Sequence, residues 1–306
     1  MRRQGGVALI TVILIVALAT TVAVSMAARE QYDIRRSGNL LQAEQAWLYV
    51  QGIEGWAAHI LRRDREDGEV DHLDEDWATV LPPVPVDGGQ LSGGLEDLQG
   101  RFNLNNLLQA GQIDEAALQQ FRRLLQLLEL DPQLAGVLAD WLDADIEPRF
   151  PAGAEDGHYL GLERPYRSAN GPIASVSELR LLAGMDAEAY QRLAPYVAAL
   201  PTRSRLNVNT ASLPVLMSLA DDIGEQEAEQ LIADRGEDGY ANVNEFLQHS
   251  ALAGLELTVE QLGVSSEYFM LRSQVQFGRL IVSWQSLLQR DHSGQARVIR
   301  RSQASL

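Results

Sequence analysis

The most constraining feature of this chain is its beginning. After Met1-Arg2-Arg3-Gln4-Gly5-Gly6 comes an apolar run from Val7 to Ala28, interrupted only by threonine and serine and closed by Arg29-Glu30. Roughly 20 apolar residues at 1.5 Å per residue match the hydrocarbon core of a bilayer. Arg2 and Arg3 are expected to keep the N-terminus cytoplasmic and leave the bulk of the chain outside. A secretory signal peptide needs a shorter apolar stretch and a small-residue cleavage site, which Ser25-Met26-Ala27 supplies only loosely.

The glycines sit between the arginines and the apolar run. This arrangement resembles the leader of type IV prepilins and pseudopilins, which a prepilin peptidase cuts directly after glycine. The resemblance implies a leader of residues 1–6, cleavage between Gly6 and Val7, and N-methylation of Val7. Most of that family carries Glu at the fifth mature position, where this chain has Thr11. A neutral residue there is a trait of K-type minor pseudopilins. It suits a tip position, because a membrane carboxylate is costly unless it meets a partner such as a neighbouring subunit's amine.

Beyond Ala28 the spacing of Ile34, Leu40, Leu41, Trp47, Val50, Ile53, Ala57 and Leu61 predicts that the helix continues. The charged stretch Arg62 to Asp76 reads as a solvated surface segment, and Pro82-Pro83-Val84-Pro85 ends any helix. Glycines punctuate 86–104, predicting short hairpin strands that end at Phe102-Asn103-Leu104. At the other end, 268–277, 280–284 and 295–300 read as strands. Helical patterns fill the interval, over 115–130, 134–142, 176–183 and 187–200. Strands at both ends with helices between them imply an insertion.

The interval repeats itself. Phe102-Asn103-Leu104-Asn105 resembles Leu206-Asn207-Val208-Asn209, and Ser175-Val176-Ser177-Glu178-Leu179 resembles Asn242-Val243-Asn244-Glu245-Phe246. Each half reads as an Asn-Xaa-Asn start, helices, and a helix capped by Ser or Asn, which accepts an orphan backbone N–H.

Residues 206–247 resemble a helix-hairpin-helix module of the kind that binds DNA. Against that use, Asp221, Asp222 and Glu225 crowd the hairpin, and the chain carries a net charge of −17. DNA binding draws most of its affinity from Lys and Arg, so the module reads as reused for packing and no nucleic-acid partner is expected. There is no cysteine, hence no disulfide and no thiolate chemistry. The five histidines are scattered without metal spacing, and no nucleophile elbow, P-loop or dinucleotide fingerprint occurs. The chain is not expected to be an enzyme.

The most chemical stretch is Asp140-Trp141-Leu142-Asp143-Ala144-Asp145-Ile146-Glu147, followed by Ala154-Glu155-Asp156. Acids and backbone carbonyls in a loop suit Ca²⁺, which takes six to eight oxygens in flexible geometry. The spacing is not that of an EF-hand. A solvated acidic loop paired with Arg149 or Arg164 explains the same residues.

Leader, Asn-Leu-Asn start, Asp-rich loop, hairpin segment and terminal strands, in that order, resemble the minor pseudopilin K family of type II secretion systems. The resemblance covers essentially the whole chain. It implies an α+β fold: an N-terminal transmembrane pilin helix, a small pilin-like antiparallel sheet, and a large helical domain of SAM-like or helix-hairpin-helix-like type inserted into that sheet. The implied divisions are 1–6 leader, 7–28 transmembrane, 29–104 pilin helix and first strands, 105–266 inserted domain, and 267–306 closing strands.

The family binds calcium in its helical domain. By resemblance the expected ligands are Asp143, Asp145, Glu155 and Asp156, with Asp140 in reserve. The implied role is to cap the pseudopilus tip in the inner membrane, prime assembly and support export. Expected partners are minor pseudopilins I and J, the pseudopilus body and prepilin peptidase. The secreted substrate and the outer-membrane channel are further candidate contacts. A competence-type, membrane-anchored DNA-binding protein is the alternative that the hairpin segment suggests.

Overall fold

The computed structural model describes residues 5–255, 257, 259–278 and 280–304. Met1 to Gln4 of the expected leader lie outside the described residues.

Helix α1 (Gly5–Asp67) runs for 63 residues, about 95 Å at 1.5 Å per residue. Its first half is exposed from Ala8 to Leu41 and contains a stretch of mean hydropathy 2.6, long and apolar enough to cross a membrane. Its last turns bury Ala46, Val50, Ile53, Ala57 and Leu61. Those residues fall three and four apart, the stripe a helix needs to lie on a sheet.

After α1 come β1 (Leu81–Val86) and β2 (Gly89–Asp97), joined through Asp87-Gly88. The prolines that end helical pattern are strand residues here. Pro82, Pro83 and Pro85 occupy the sheet edge, where missing N–H groups cost no ladder bond. The segment 98–104 leaves this sheet, contrary to its expected place in the hairpin. Phe102–Asn103 (β3) instead pairs in parallel with Val197–Ala198 (β6).

Between these come the hairpin β4 (Leu108–Gln109) and β5 (Gln112–Ile113), then helices α2 (Glu115–Leu127), α3 (Leu134–Leu142), α4 (Asp156–Tyr159) and α5 (Ala187–Leu193). The expected helix at 176–183 is a 3₁₀ segment, Val176–Leu181, and the one at 187–200 stops at Leu193, just before Pro195.

The second half opens with β7 (Leu206–Asn207), paired in parallel with β8 (Leu262–Gly263). It encloses α6 (Leu213–Met217), α7 (Glu225–Ala233) and α8 (Val243–Leu247). Both halves share one apolar core, with Phe121, Leu124, Trp141, Leu216, Leu231 and Phe246 among its buried residues.

The chain then returns as β9 (Tyr268–Phe277), β10 (Leu280–Arg290) and β11 (Ala296–Ala304). The sheet order is β1-β2-β9-β10-β11, antiparallel throughout. Because β9 pairs directly with β2, helices α2 to α8 are inserted between two neighbouring strands. One sheet face packs on α1 through Leu95, Phe269, Leu271 and Leu288. Gly93 permits the approach: a Cβ there would stand 2.7 Å from Ile53 Cδ1. The other face meets the inserted helices through Leu98, Ala198, Leu200, Tyr268 and Leu287.

The repeat is built from the same bonds twice. Asn103 Oδ1 accepts the Asn105 N–H at 3.2 Å, and Asn207 Oδ1 accepts the Asn209 N–H at 3.0 Å. The second asparagine of each pair grips a later loop from both sides. Asn105 bonds the N–H and C=O of Ile173, and Asn209 those of Tyr240. Shortly after each grip a cap follows, Ser175 with Glu178 and Asn242 with Glu245.

Most of the charged stretch 62–76 is exposed, as expected, but two of its acids are turned inward. Half-buried Asp64 and buried Asp71 hold Arg290, with contacts at 2.7 Å and 2.5 Å. Arg290 also donates to the Ser266 carbonyl and lies 4.9 Å over the Phe269 ring. Next to it, buried Asp97 accepts from Gln99 N, Ser266 Oγ, Thr210 Oγ1 and Asn207 Nδ2. This joint ties the far end of α1, the sheet and the second half of the insert. Burial pushes Asp64 up to about 7, reinforced by Glu75 and Asp71. Burial likewise raises Asp97 to about 6 against four donors.

Candidate metal centre

Helix α3 is almost wholly apolar, so its one buried acid, Asp140, faces the loop that follows. The helix ends as Asp143 turns extended, and the chain loops through Pro148 and Pro151 before α4. Glu155 precedes α4 in extended conformation and is 3% exposed.

One carboxylate oxygen each from Asp143, Asp145 and Glu155 lies within 4.8 Å of the others. Asp156 is not part of this group. Its Oδ1 accepts from Ser168 N at 3.0 Å and Ser168 Oγ at 3.2 Å, and Oδ2 stands 3.9 Å from Arg167. Asp140 is drawn to the loop backbone, with Arg149 N at 3.1 Å from Oδ2.

Of the two arginines the acidic loop might have paired with, Arg149 is the one present. Its Nε stands 3.5 Å from Asp143 Oδ2 and 3.8 Å from Asp140 Oδ1. It does not saturate the cluster. Asp143 Oδ1 and Glu155 Oε1 are buried and have no hydrogen-bond partner. An unpaired buried carboxylate oxygen is expensive, and a hard cation is the partner that such oxygens fit.

Gly153 completes the cradle: a Cβ there would collide with Asp140 Oδ2 and with the Arg149 N–H. Burial pushes Glu155 up to about 7, with Asp140, Asp143 and Asp145 adding to the shift. Asp143 rises for the same first reason, then through Asp145.

Sequence reasoning did not single out Ser168 and Asn170. Ser168 Oγ donates to Glu155 Oε2 at 3.2 Å, and Asn170 Nδ2 holds the Asp145 carbonyl at 3.1 Å. Asn170-Gly171 is the one turn signal that marked this stretch.

The hairpin segment offers no comparable site. Asp221 is exposed and 3.7 Å from Arg123. Arg235 turns inward, its Nη2 donating to the Ala211 carbonyl. The surface left at the hairpin is acidic, which opposes a phosphate.

A long apolar helix laid on an antiparallel sheet, with helices inserted between neighbouring strands, defines a pilin-like protein. The family model described as type II secretion system protein K matches residues 100–202 and 206–265, the two halves of the insert. The type II secretion system protein K of Pseudomonas aeruginosa is 44% identical, the alignment covering 98% of this chain and 93% of that protein. That of Klebsiella pneumoniae is 37% identical, covering 94% and 93%. A chain of the GspK–GspI–GspJ complex from the enterotoxigenic Escherichia coli type 2 secretion system superposes with a TM-score of 0.79 at 29% identity, covering 89% of this chain and 100% of that one. The chain belongs to the type II secretion system protein K family, the minor pseudopilins, which are structural components of a secretion system.

Proposed function

We propose that this minor pseudopilin closes the tip of the type II secretion pseudopilus, assembling there with pseudopilins I and J to prime pilus growth and export. One observation carries the reading. The inserted helices sit at the end of α1 remote from its apolar segment, tied there through Asp71 and Ser266. A subunit so shaped fills the place where the next subunit would be added. The GspK–GspI–GspJ complex of the similar solved chain supports the choice of partners.

In this reading prepilin peptidase removes residues 1–6 and Val7 is methylated. Residues 7–28 anchor the chain in the inner membrane, with the insert of 105–266 and the sheet on the periplasmic side. Asp143, Asp145 and Glu155 hold a structural Ca²⁺, with Asp156 and Asp140 supporting the loop. The ion would neutralise carboxylates that the fold otherwise buries unpaired.

The test is to mix the full chain in detergent with pseudopilins I and J and read the complex mass by light scattering. A one-to-one-to-one complex supports the proposal. No association, with calcium supplied, contradicts it.

A further inference from the structure

Where the insert meets the sheet there is an open cleft of about 570 Å³, within the range of ligand sites. Its floor is the joint described above, reached through Ser266 and Arg290. Its rim is unlike the rest of this acidic protein. Arg65, Arg203, Arg205 and His292 line it, opposed by Glu267 and Asp291.

The charges differ in how free they are. Arg290 is spent on Asp64 and Asp71. Asp291 is spent on its own turn, accepting from Ser293 N, Ser293 Oγ and Gln295 N, and that bonding holds its carboxyl below the usual range. Arg65 donates to the Glu69 carbonyl at 3.1 Å and stands 4.0 Å from its carboxylate, and Arg203 pairs with Asp114 at 2.9 Å. Among the described residues Arg205 makes no ion pair, although 42 acids stand against 25 basic side chains in the chain. Every one of those basic residues is arginine, whose planar fork matches a carboxylate with two parallel bonds. Ser204, Ser265 and Asn242 line the same cleft, side chains that bond peptide amides as donors and acceptors. Glu267, which makes no ion pair among the described residues, opposes a dense polyanion more than it opposes spaced single carboxylates.

We propose that this cleft binds an extended acidic peptide segment of a protein partner, its carboxylates on Arg205 and Arg203 and its backbone on the polar side chains between. This site stands whether or not the chain caps the pseudopilus.

The experiment uses the full chain in detergent micelles and a fluorescein-labelled hexapeptide of alternating alanine and glutamate, followed by fluorescence anisotropy. The expected result is saturable binding that weakens about tenfold in Arg205→Glu, as loss of a close charge pair does, with the melting temperature unchanged. Glu267→Gln should tighten it several-fold. Equal binding of the alanine–glutamine peptide, or unchanged binding by Arg205→Glu, would overturn the proposal. So would displacement by equimolar inorganic phosphate, which would make this a small-anion site.

Discussion

The two halves of the insert, 100–202 and 206–265, share one frame and differ in what fills it. Each has an asparagine pair, a parallel two-residue pairing and a capped turn. In the first half the interval holds α2 and α3 and then the acidic loop, with Asp140, Asp143 and Glu155 buried. In the second, α6 and α7 close tightly, and the acids at their turn, Asp221 and Asp222, stay exposed. Acidity is thus common to both. What separates a candidate cation site from a solvated turn is burial without a partner, as at Asp143 Oδ1 and Glu155 Oε1.

The frames are not equally placed, and that is the widest difference to test. Asn207 donates to the Asp71 carbonyl, to Asp97 and to Ser266, all inside the joint, whereas Asn103, also buried, donates to the part-buried Thr202 carbonyl and Ser204 hydroxyl. Asn207→Ala should cost about 4 kcal/mol, because several buried groups lose their partner together. Asn103→Ala should cost about 2 kcal/mol, since its part-buried acceptors at Thr202 and Ser204 regain water while the Leu200 and Asn105 N–H groups lose their partner. Equal losses on thermal unfolding would break the distinction.

Calcium should act on one half only. At a hundred times its dissociation constant it should add about 2.7 kcal/mol to stability. Asp143→Asn should abolish that gain and Asp222→Asn should leave it intact, both read from melting temperatures with calcium or chelator.

Glu155 sharpens the same point without metal. Its folded pKa, about 7, lies above its ordinary value of 4.5, so the folded state holds the proton more tightly. That contribution is complete below pH 4.5 and is lost as pH rises through 7. Glu155→Gln should therefore stabilise the calcium-free protein by about 2 kcal/mol at pH 8 and leave it little changed at pH 4.5. A gain of the same size at both pH values would mean that the carboxylate's burial is not the cause.

The smallest effect concerns helix starts. Asp114 caps α2 through the N–H groups of Ala116 and Ala117, while Gly224 begins α7 with no side-chain cap. Asp114→Ala should cost about 1 kcal/mol, measurable by urea unfolding.

The sequence made the long apolar helix legible because a run of roughly 20 apolar residues is a strong local pattern. It also exposed the terminal strands and the repeat, since alternation and the Asn-Xaa-Asn starts are local patterns. Helix α3 fell where its apolar run predicted, at Leu134–Leu142. What stayed hidden depended on distance along the chain. Asp64 and Asp71 read as solvated because their partner, Arg290, lies more than 200 residues away. The prolines of β1 read as a helix end, and only the sheet order reveals that they guard an edge. In the candidate site, Asp143, Asp145 and Glu155 were legible as an acidic cluster. Asp156 was indistinguishable from them, and only the structure places its oxygens outside the group that converges.

The role proposed for this subunit depends on where it stands in the pseudopilus. The direct measurement is gold labelling of an epitope on the inserted helices in pseudopili sheared from cells, viewed by electron microscopy. A tip subunit predicts label at one end of each filament. Label spaced along the shaft would contradict it.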